Sequence, residues 1–195
     1  MTLAEDHLYK WFTKSQQISP VRIARLTRKR LMQLYGEWGF KKGAEIGVDR
    51  GRFSEFMCQS MPELDLLCVD PWRVKLRGDS RYASTTERLE PYNCVIVRRN
   101  SMDAVVNVPN DSLDFVYIDG DHHADYVVTD LVMWARKVKI GGIVSGHDYY
   151  RFRQAGVVEA VDFYTKVHGI TQWFLTDERT PSFFWIKDID PWNII

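Results

Sequence analysis

Lys42-Gly43-Ala44-Glu45-Ile46-Gly47-Val48-Asp49-Arg50-Gly51-Arg52-Phe53-Ser54 is the stretch that decides the fold, because it reads as a buried strand running into a glycine turn and then a helix. Glu45 stands next to the end of the strand, and Gly47 and Gly51 follow at G-x-x-x-G spacing. Such a turn lets the backbone approach a ligand closely and aims free N–H groups of the helix start at it. A nucleotide-like ligand is expected. The dinucleotide fingerprint G-x-G-x-x-G requires its second glycine two residues after Gly47, and that position is Asp49, whose carboxylate would repel a pyrophosphate. NAD is therefore disfavoured.

Downstream, Phe53, Phe56 and Met57 recur at helical spacing and should pack the helix on a sheet. Leu64 to Asp70 then reads as a buried strand ending in a carboxylate about twenty residues past the glycine turn, where nucleotide-binding α/β folds place the acid that grips ribose hydroxyls. Arg73 to Ser84 reads as a mobile lid, with a short helix around Thr85 to Leu89, and Cys94 to Val97 as a third strand followed by Asn100-Ser101-Met102-Asp103. Leu113 to Ile118 is the clearest strand and ends in Asp119-Gly120-Asp121-His122-His123. A helix over Ala124 to Val138 is expected to close at Gly141-Gly142, and the strand Ile143 to Gly146 delivers His147-Asp148-Tyr149-Tyr150. Two polar clusters thus reach the carboxyl edge of one sheet, where open α/β sheets carry out chemistry.

On the amino-terminal side, Leu3 to Phe12 has the pattern of a short amphipathic helix, and Pro20 is expected to open a second helix over Val21 to Trp38. Its basic residues, Arg22, Arg25, Arg28, Lys29 and Arg30, read as a solvated face. At the other end, Gly156 to Val167 is amphipathic, and the runs Thr171 to Leu175 and Ser182 to Lys187, joined by turn residues 176–181, suit a hairpin.

With 195 residues and 45% hydrophobic content, the chain suits one α/β domain: residues 1–40 as amino-terminal helices that serve as a substrate cover, and 41–187 as the ligand-binding core. The 26 basic and 26 acidic residues cancel, so no global field recruits nucleic acid or an anionic membrane, and a small-molecule partner is expected. Cys58, Cys68 and Cys94 are odd in number and sit in apolar surroundings, which suggests reduced core thiols and a cytoplasmic protein. No apolar run approaches membrane-spanning length, and the first ten residues are polar and acidic rather than signal-like.

Ala44-Glu45-Ile46-Gly47, Val69-Asp70-Pro71-Trp72, Val116-Tyr117-Ile118-Asp119-Gly120-Asp121-His122, and Gly141-Gly142 through Gly146-His147-Asp148-Tyr149 occur in one order over residues 40–187. Together they resemble the class I S-adenosylmethionine-dependent methyltransferases, in particular a bacterial small-molecule subgroup related to catechol and macrolide-sugar O-methyltransferases. The resemblance implies a three-layer, Rossmann-like, doubly wound sheet of about seven strands with the last inserted antiparallel. It implies O-methylation of a small-molecule hydroxyl, with S-adenosylmethionine as methyl donor. Glu45, Gly47, Asp49 and Gly51 would frame the methionine end of that cofactor. Asp70 and Trp72 would hold its ribose side, and Ser101 with Met102 the adenine. Asp119 would lie beside the methyl group. In the catechol-type relatives, residues matching Asp119 and Asp148 hold a Mg²⁺ ion, and a base three positions after the first aspartate takes the hydroxyl proton, which here is His122. His147, also at the ligand edge beside a carboxylate, is a second catalytic candidate. Those relatives carry an Asn metal ligand where this chain has Tyr149, and the subgroup admits a homodimer.

The competing readings are a catalytically silent nucleotide-binding module, a nucleic-acid methyltransferase and a hydroxylase on a related fold. No Asn/Asp-Pro-Pro-Tyr-type stacking motif occurs, and no distinct iron triad is legible. His123 and His168 read as structural histidines.

Overall fold

All six residues of the strand Leu113–Ile118 are buried, as befits a parallel strand covered by helices on both faces. This is β5 of an eight-stranded sheet whose other members are β1 (Val21–Arg22), β2 (Lys42–Ile46), β3 (Asp65–Val69), β4 (Cys94–Val97), β6 (Val138–Gly146), β7 (Phe174–Leu175) and β8 (Phe183–Ile186). The computed structural model describes residues 2–15, 18–73, 77–153 and 155–188. The strand order is β1-β7-β8-β6-β5-β2-β3-β4, and the last strand, β8, runs antiparallel to both neighbours, as expected for this fold. One strand more than expected is present because Val21 and Arg22 pair in parallel with Phe174 and Leu175.

Strand alternation divides the core in two. Phe115, Tyr117, Ile143 and Phe184 pack with α1 (Leu3–Ser15), α2 (Arg28–Glu37) and α3 (Arg52–Ser60), through residues such as Leu8, Leu31, Tyr35 and Met57. Ala44, Ile46, Val116, Val144 and Trp185 face the opposite way, onto α6 (Ala124–Trp134) and α7 (Val157–Val167), through Leu131, Trp134, Val161 and Tyr164. Two further helices, α4 (Gly78–Leu89) and α5 (Ser101–Val105), flank the β3–β4 end, giving the three-layer arrangement. Cys58 and Cys68 are buried, Cys94 is half-buried, and all three are free thiols.

Three local expectations are corrected. The helix after Pro20 starts at Arg28, capped by Thr27, whose Oγ1 accepts from the Arg30 N–H. The residues before it are drawn into the sheet, Val21 and Ile23 donating to the carbonyls of Trp173 and Leu175. The helix expected to run to Val138 stops at Trp134, and Val138 already pairs with Leu113. Leu113 faces Val138 but Phe115 faces Ile143, so β6 bulges between these points, with Gly141 at a φ of +81°. The Gly141-Gly142 pair is therefore a feature of the strand and not a helix cap. Finally, the short helix expected around Thr85 to Leu89 begins at Gly78, inside the stretch read as a lid, while residues 74–76 lie outside the described residues.

The first turns of α1 bury Ala4 and Leu8, and His7 Nδ1 accepts from the Trp38 indole at 2.7 Å. Thr2 and Glu5 lie beside Gly141, at the end of β6 remote from Gly146. Among the described residues, no helix is long and apolar enough to cross a membrane.

Candidate active site

The chain lays β2, β3 and β4 outward in one direction and then returns to place β5 on the other side of β2, so a crevice opens where the strand order reverses. Gly47 leaves β2 at this point with a φ of +93°, and a Cβ there would lie 2.1 Å from the Asp119 carbonyl oxygen. Only glycine allows β2 and β5 to end so close together. The turn is then tied down from two sides. Asp70 Oδ2 accepts from the N–H groups of Val48 (3.0 Å) and Asp49 (2.9 Å), and its Oδ1 accepts from Trp72 N–H at 2.7 Å. The buried Trp72 indole and the Thr85 hydroxyl both donate to the Asp49 carbonyl, Arg81 pairs with the Asp49 carboxylate, and Arg88 Nε donates to the Arg50 carbonyl. Helix α4 is thus a clamp on the glycine turn.

Behind this turn lies a cavity of about 860 Å³, within the range typical of small-molecule sites. Gly47, Asp49, Asp70, Trp72, Ser101, Met102 and Asp119 all line it. Glu45 and Gly51 do not. Glu45 is 1% exposed and its carboxylate accepts from Ser54 of α3, while burial pushes its pKa well up. The alternation that sends Ala44 and Ile46 to one face sends Glu45 to the other, beneath α3. Gly51 is the residue before α3, with a φ of +68°, and packs toward Thr85. Both shape the turn from outside the wall.

The wall also carries Arg81, Tyr126, Thr129 and Asp130, which were not expected from sequence. Asp130 accepts from the Ser101 hydroxyl, which in turn accepts from the Trp134 indole at 2.6 Å. Burial pushes Asp130 up to about 6, against the opposing Ser101 bond, with Asp121 adding to the rise. Its signal was present in the sequence: a carboxylate set within the apolar stripe Val127, Leu131, Trp134.

At the mouth of the cavity the ends of β5 and β6 bring together Asp119, His122, His147 and Asp148. His122 Nε2 lies 3.1 Å from Asp148 Oδ2 and 3.7 Å from Asp119 Oδ1. His147 Nδ1 lies 3.1 Å from Asp148 Oδ1 and 3.6 Å from Asp119 Oδ1. Asp148 turns into the cluster with a φ of +56°. Hydrogen bonds to Asp119 and Asp148 hold the His122 imidazolium, raising its pKa to about 10. For His147, burial works the other way, and the same two carboxylates overcome it to give about 9. Asp148 is held well below the usual carboxylate range by the two imidazoles, despite its burial. Arg28, in the basic run read as a solvated face, reaches to 4.0 Å from Asp119 Oδ2 over the Phe53 ring. No sequence signal separates it from its neighbours. His123 stands apart, paired with Asp121 at 2.5 Å, and His168 packs on Tyr164.

The donors near Asp119 and Asp148 do not form the oxygen set that suits Mg²⁺. Tyr149, at the position of the expected third ligand, donates its hydroxyl to Asp162 at 2.7 Å and lies edge-on to Trp173. The groups within reach of both carboxylates are imidazoles, the half-exposed His122 and the more enclosed His147, and one donor atom each of Asp119, His122 and Asp148 lies within 4.8 Å of the others.

Solved structures share this architecture. The cofactor-bound Rv0187 protein from MTB superposes with a TM-score of 0.67 at 13% identity, covering 96% of this chain and 90% of that one. An O-methyltransferase from Bacillus cereus in complex with SAH gives 0.65 at 11% identity, over 96% and 92% of the two chains. The O-methyltransferase TomG from Streptomyces achromogenes, involved in tomaymycin synthesis and crystallised with SAM, gives 0.62 at 14% identity, over 96% and 91%. At these identities the likeness is one of fold. By sequence, uncharacterized protein R132 of Acanthamoeba polyphaga mimivirus is 26% identical over 115 residues. That is 56% of this chain and 52% of the viral protein, so the chain spans about half the length of the curated relative it matches. The Methyltransf_24 family, described as a methyltransferase domain, matches residues 44–149. That span runs from the strand before Gly47 to the residue after Asp148, so the glycine turn, Asp70 and both aspartate–histidine clusters fall within one family pattern, and the chain belongs to this methyltransferase-domain family.

Proposed function

We propose that the protein transfers the methyl group of S-adenosylmethionine to a hydroxyl of a small molecule. The observation that carries this reading is the double membership of Asp119, which lines the cavity and is also part of the Asp–His cluster at its mouth. The cavity wall bears Asp49, Asp70, Asp103, Asp119, Asp121, Asp125 and Asp130 against Arg73 and Arg81. Such a wall repels a diphosphate and favours a ligand carrying a sulfonium and an ammonium group. Gly47 and Asp49 would receive the methionine end, Asp70 and Trp72 the ribose side, and Ser101, Met102 and Asp130 the adenine. The methyl group would then point past Asp119 toward His122, His147 and Asp148. In the transfer, the S–CH₃ bond breaks as the O–CH₃ bond forms, the sulfonium becomes a neutral thioether, and the hydroxyl proton leaves to solvent by way of the carboxylates of the cluster, since both imidazoles are already held as cations.

A small acceptor fits the basic segment better than nucleic acid does, because Arg22, Arg28 and Arg30 are already engaged within the protein. Arg22 donates to the Thr176 and Glu178 carbonyls, Arg30 pairs with Glu37, and Arg28 lies between Phe53 and Asp119. Calorimetry with S-adenosylhomocysteine, followed by a labelled-methyl screen over hydroxyl compounds, tests the reading. Binding together with transfer to at least one such compound is expected. Tighter binding of NAD, or transfer only to RNA, would overturn it.

A further inference from the structure

We infer that Asp119, His122 and Asp148 bind a divalent transition-metal ion of the Mn²⁺, Co²⁺ and Zn²⁺ group in preference to Mg²⁺, through two carboxylate oxygens and the Nε2 of His122. The ion would sit at the acceptor end of the site proposed above. The inference rests on that reading for the role of the ion and on the donor geometry alone for its binding.

The geometry is that of a chelating trio. One donor atom from each of the three side chains lies within 4.8 Å of the other two. Metal–ligand bonds of about 2.1 Å place neighbouring donors about 3.0 Å apart in an octahedron and about 3.4 Å apart in a tetrahedron. The His122 Nε2 distance of 3.1 Å to Asp148 Oδ2 falls between these values and the 3.7 Å to Asp119 Oδ1 lies a little beyond them, so small side-chain shifts would close the shell. The remaining atoms are arranged as supports. His147, whose side chain is 11% exposed, places Nδ1 against Oδ1 of both carboxylates and has Thr180 Oγ1 at 3.4 Å from Nε2. It therefore orients the two acids from the protein side, as outer-shell groups do at metal centres. Arg28 stands at the other oxygen of Asp119, which leaves Oδ1 for the ion. The His122 side chain is 45% exposed, so the trio opens to solvent and an ion has a path of entry.

Donor chemistry selects the metal. Mg²⁺ favours oxygen ligands in a near-ideal octahedron, and Tyr149, turned to Asp162, withholds the third protein oxygen. An imidazole in its place suits the borderline first-row ions, whose affinity for nitrogen and mixed sites exceeds that of Mg²⁺. His122 is then a metal ligand, and its Nε2 lone pair is not available to accept the hydroxyl proton.

The test uses the full chain freed of metal by EDTA and dialysis. Co²⁺ is titrated while its d–d absorption is followed, and Mn²⁺, Zn²⁺ and Mg²⁺ are compared by calorimetry. One equivalent of Co²⁺ should give a ligand-field spectrum distinct from the aqueous ion, and Mn²⁺ and Zn²⁺ should bind at least about tenfold more tightly than Mg²⁺. His122→Asn, which exchanges the nitrogen for an oxygen donor, should weaken Co²⁺ and Zn²⁺ by about tenfold or more and change the spectrum. His123→Ala, outside the trio, should leave the spectrum unaltered. Circular dichroism and S-adenosylhomocysteine binding verify that each variant is folded. Equal affinity for Mg²⁺, or a Co²⁺ spectrum unmoved by His122→Asn, overturns the inference. Absence of S-adenosylhomocysteine binding instead overturns the functional reading and leaves the metal result standing.

Discussion

Replacing Asp70 with alanine separates two roles that one carboxylate can hold. In the structure Asp70 accepts three backbone N–H bonds, from Val48, Asp49 and Trp72, at 2.7–3.0 Å. Charge-assisted bonds of this kind contribute about 1.5–3 kcal/mol each. Asp49, Asp70 and Trp72 line a cavity that water can enter, so part of the loss is recovered by hydration and the net cost of Asp70→Ala should be about 2–4 kcal/mol. For a domain of this length, each kcal/mol corresponds to roughly 2–4 °C in Tm, which gives a fall of about 4–16 °C for the unliganded protein. Because Val48 and Asp49 form the turn against which the cofactor would lie, its affinity should also fall by about tenfold or more. Differential scanning calorimetry without ligand, and isothermal calorimetry with S-adenosylhomocysteine, read the two effects separately. A carboxylate that served ribose alone would lower affinity and leave the unliganded Tm untouched. An unliganded Tm within about 1 °C of the parent would therefore refute the assignment of Asp70 as the staple of the turn.

Gly47→Ala should be worse tolerated, since its Cβ would lie 2.1 Å from the Asp119 carbonyl at a φ of +93°. Left-handed strain and overpacking together predict a loss of about 2–5 kcal/mol in urea denaturation, with cofactor binding abolished, and parental stability would contradict the close approach of β2 and β5. Glu45→Gln keeps an acceptor for Ser54 and lies outside the cavity lining, so stability should change by less than about 1 kcal/mol and affinity by no more than about threefold. A large loss of affinity there would restore Glu45 as a ligand contact. For Asp130, a folded pKa of about 6 stands above the unfolded value of about 3.9, so the native state keeps this proton longer and stability falls as pH rises between the two. Relative to Asp130→Asn, the parent should lose about 2 kcal/mol between pH 4 and 6 and run parallel above pH 7, and denaturation curves that stay parallel throughout would refute it.

Much of this site was legible before folding. The glycine turn, the acid at Asp70 and the clusters after Ile118 and Gly146 are short-range patterns, in which a run of apolar residues sets a strand and the residues just past its end must lie at the sheet's carboxyl edge. The doubly wound sheet and its antiparallel last strand followed from the family pattern those motifs form. What the chain could not announce locally was decided by partners far away in sequence. Val21 and Arg22 become a strand because Phe174 and Leu175 offer backbone groups to pair with, and β6 begins at Val138 because Leu113 lies opposite it. Glu45 is turned beneath α3 by the pleat of β2, which sends it to the face opposite Ala44 and Ile46 and under Ser54. Arg28 differs from the other basic residues around it in facing Asp119, a contact set by how α2 packs across the sheet. At the mouth of the site, Tyr149 is drawn to Asp162 of α7, and His122 takes the place between the carboxylates. Hydrophobic period and turn chemistry act over a few residues and so are written in the sequence; hydrogen bonds and ion pairs between side chains depend on which strand ends meet, and only the folded sheet brings those ends together.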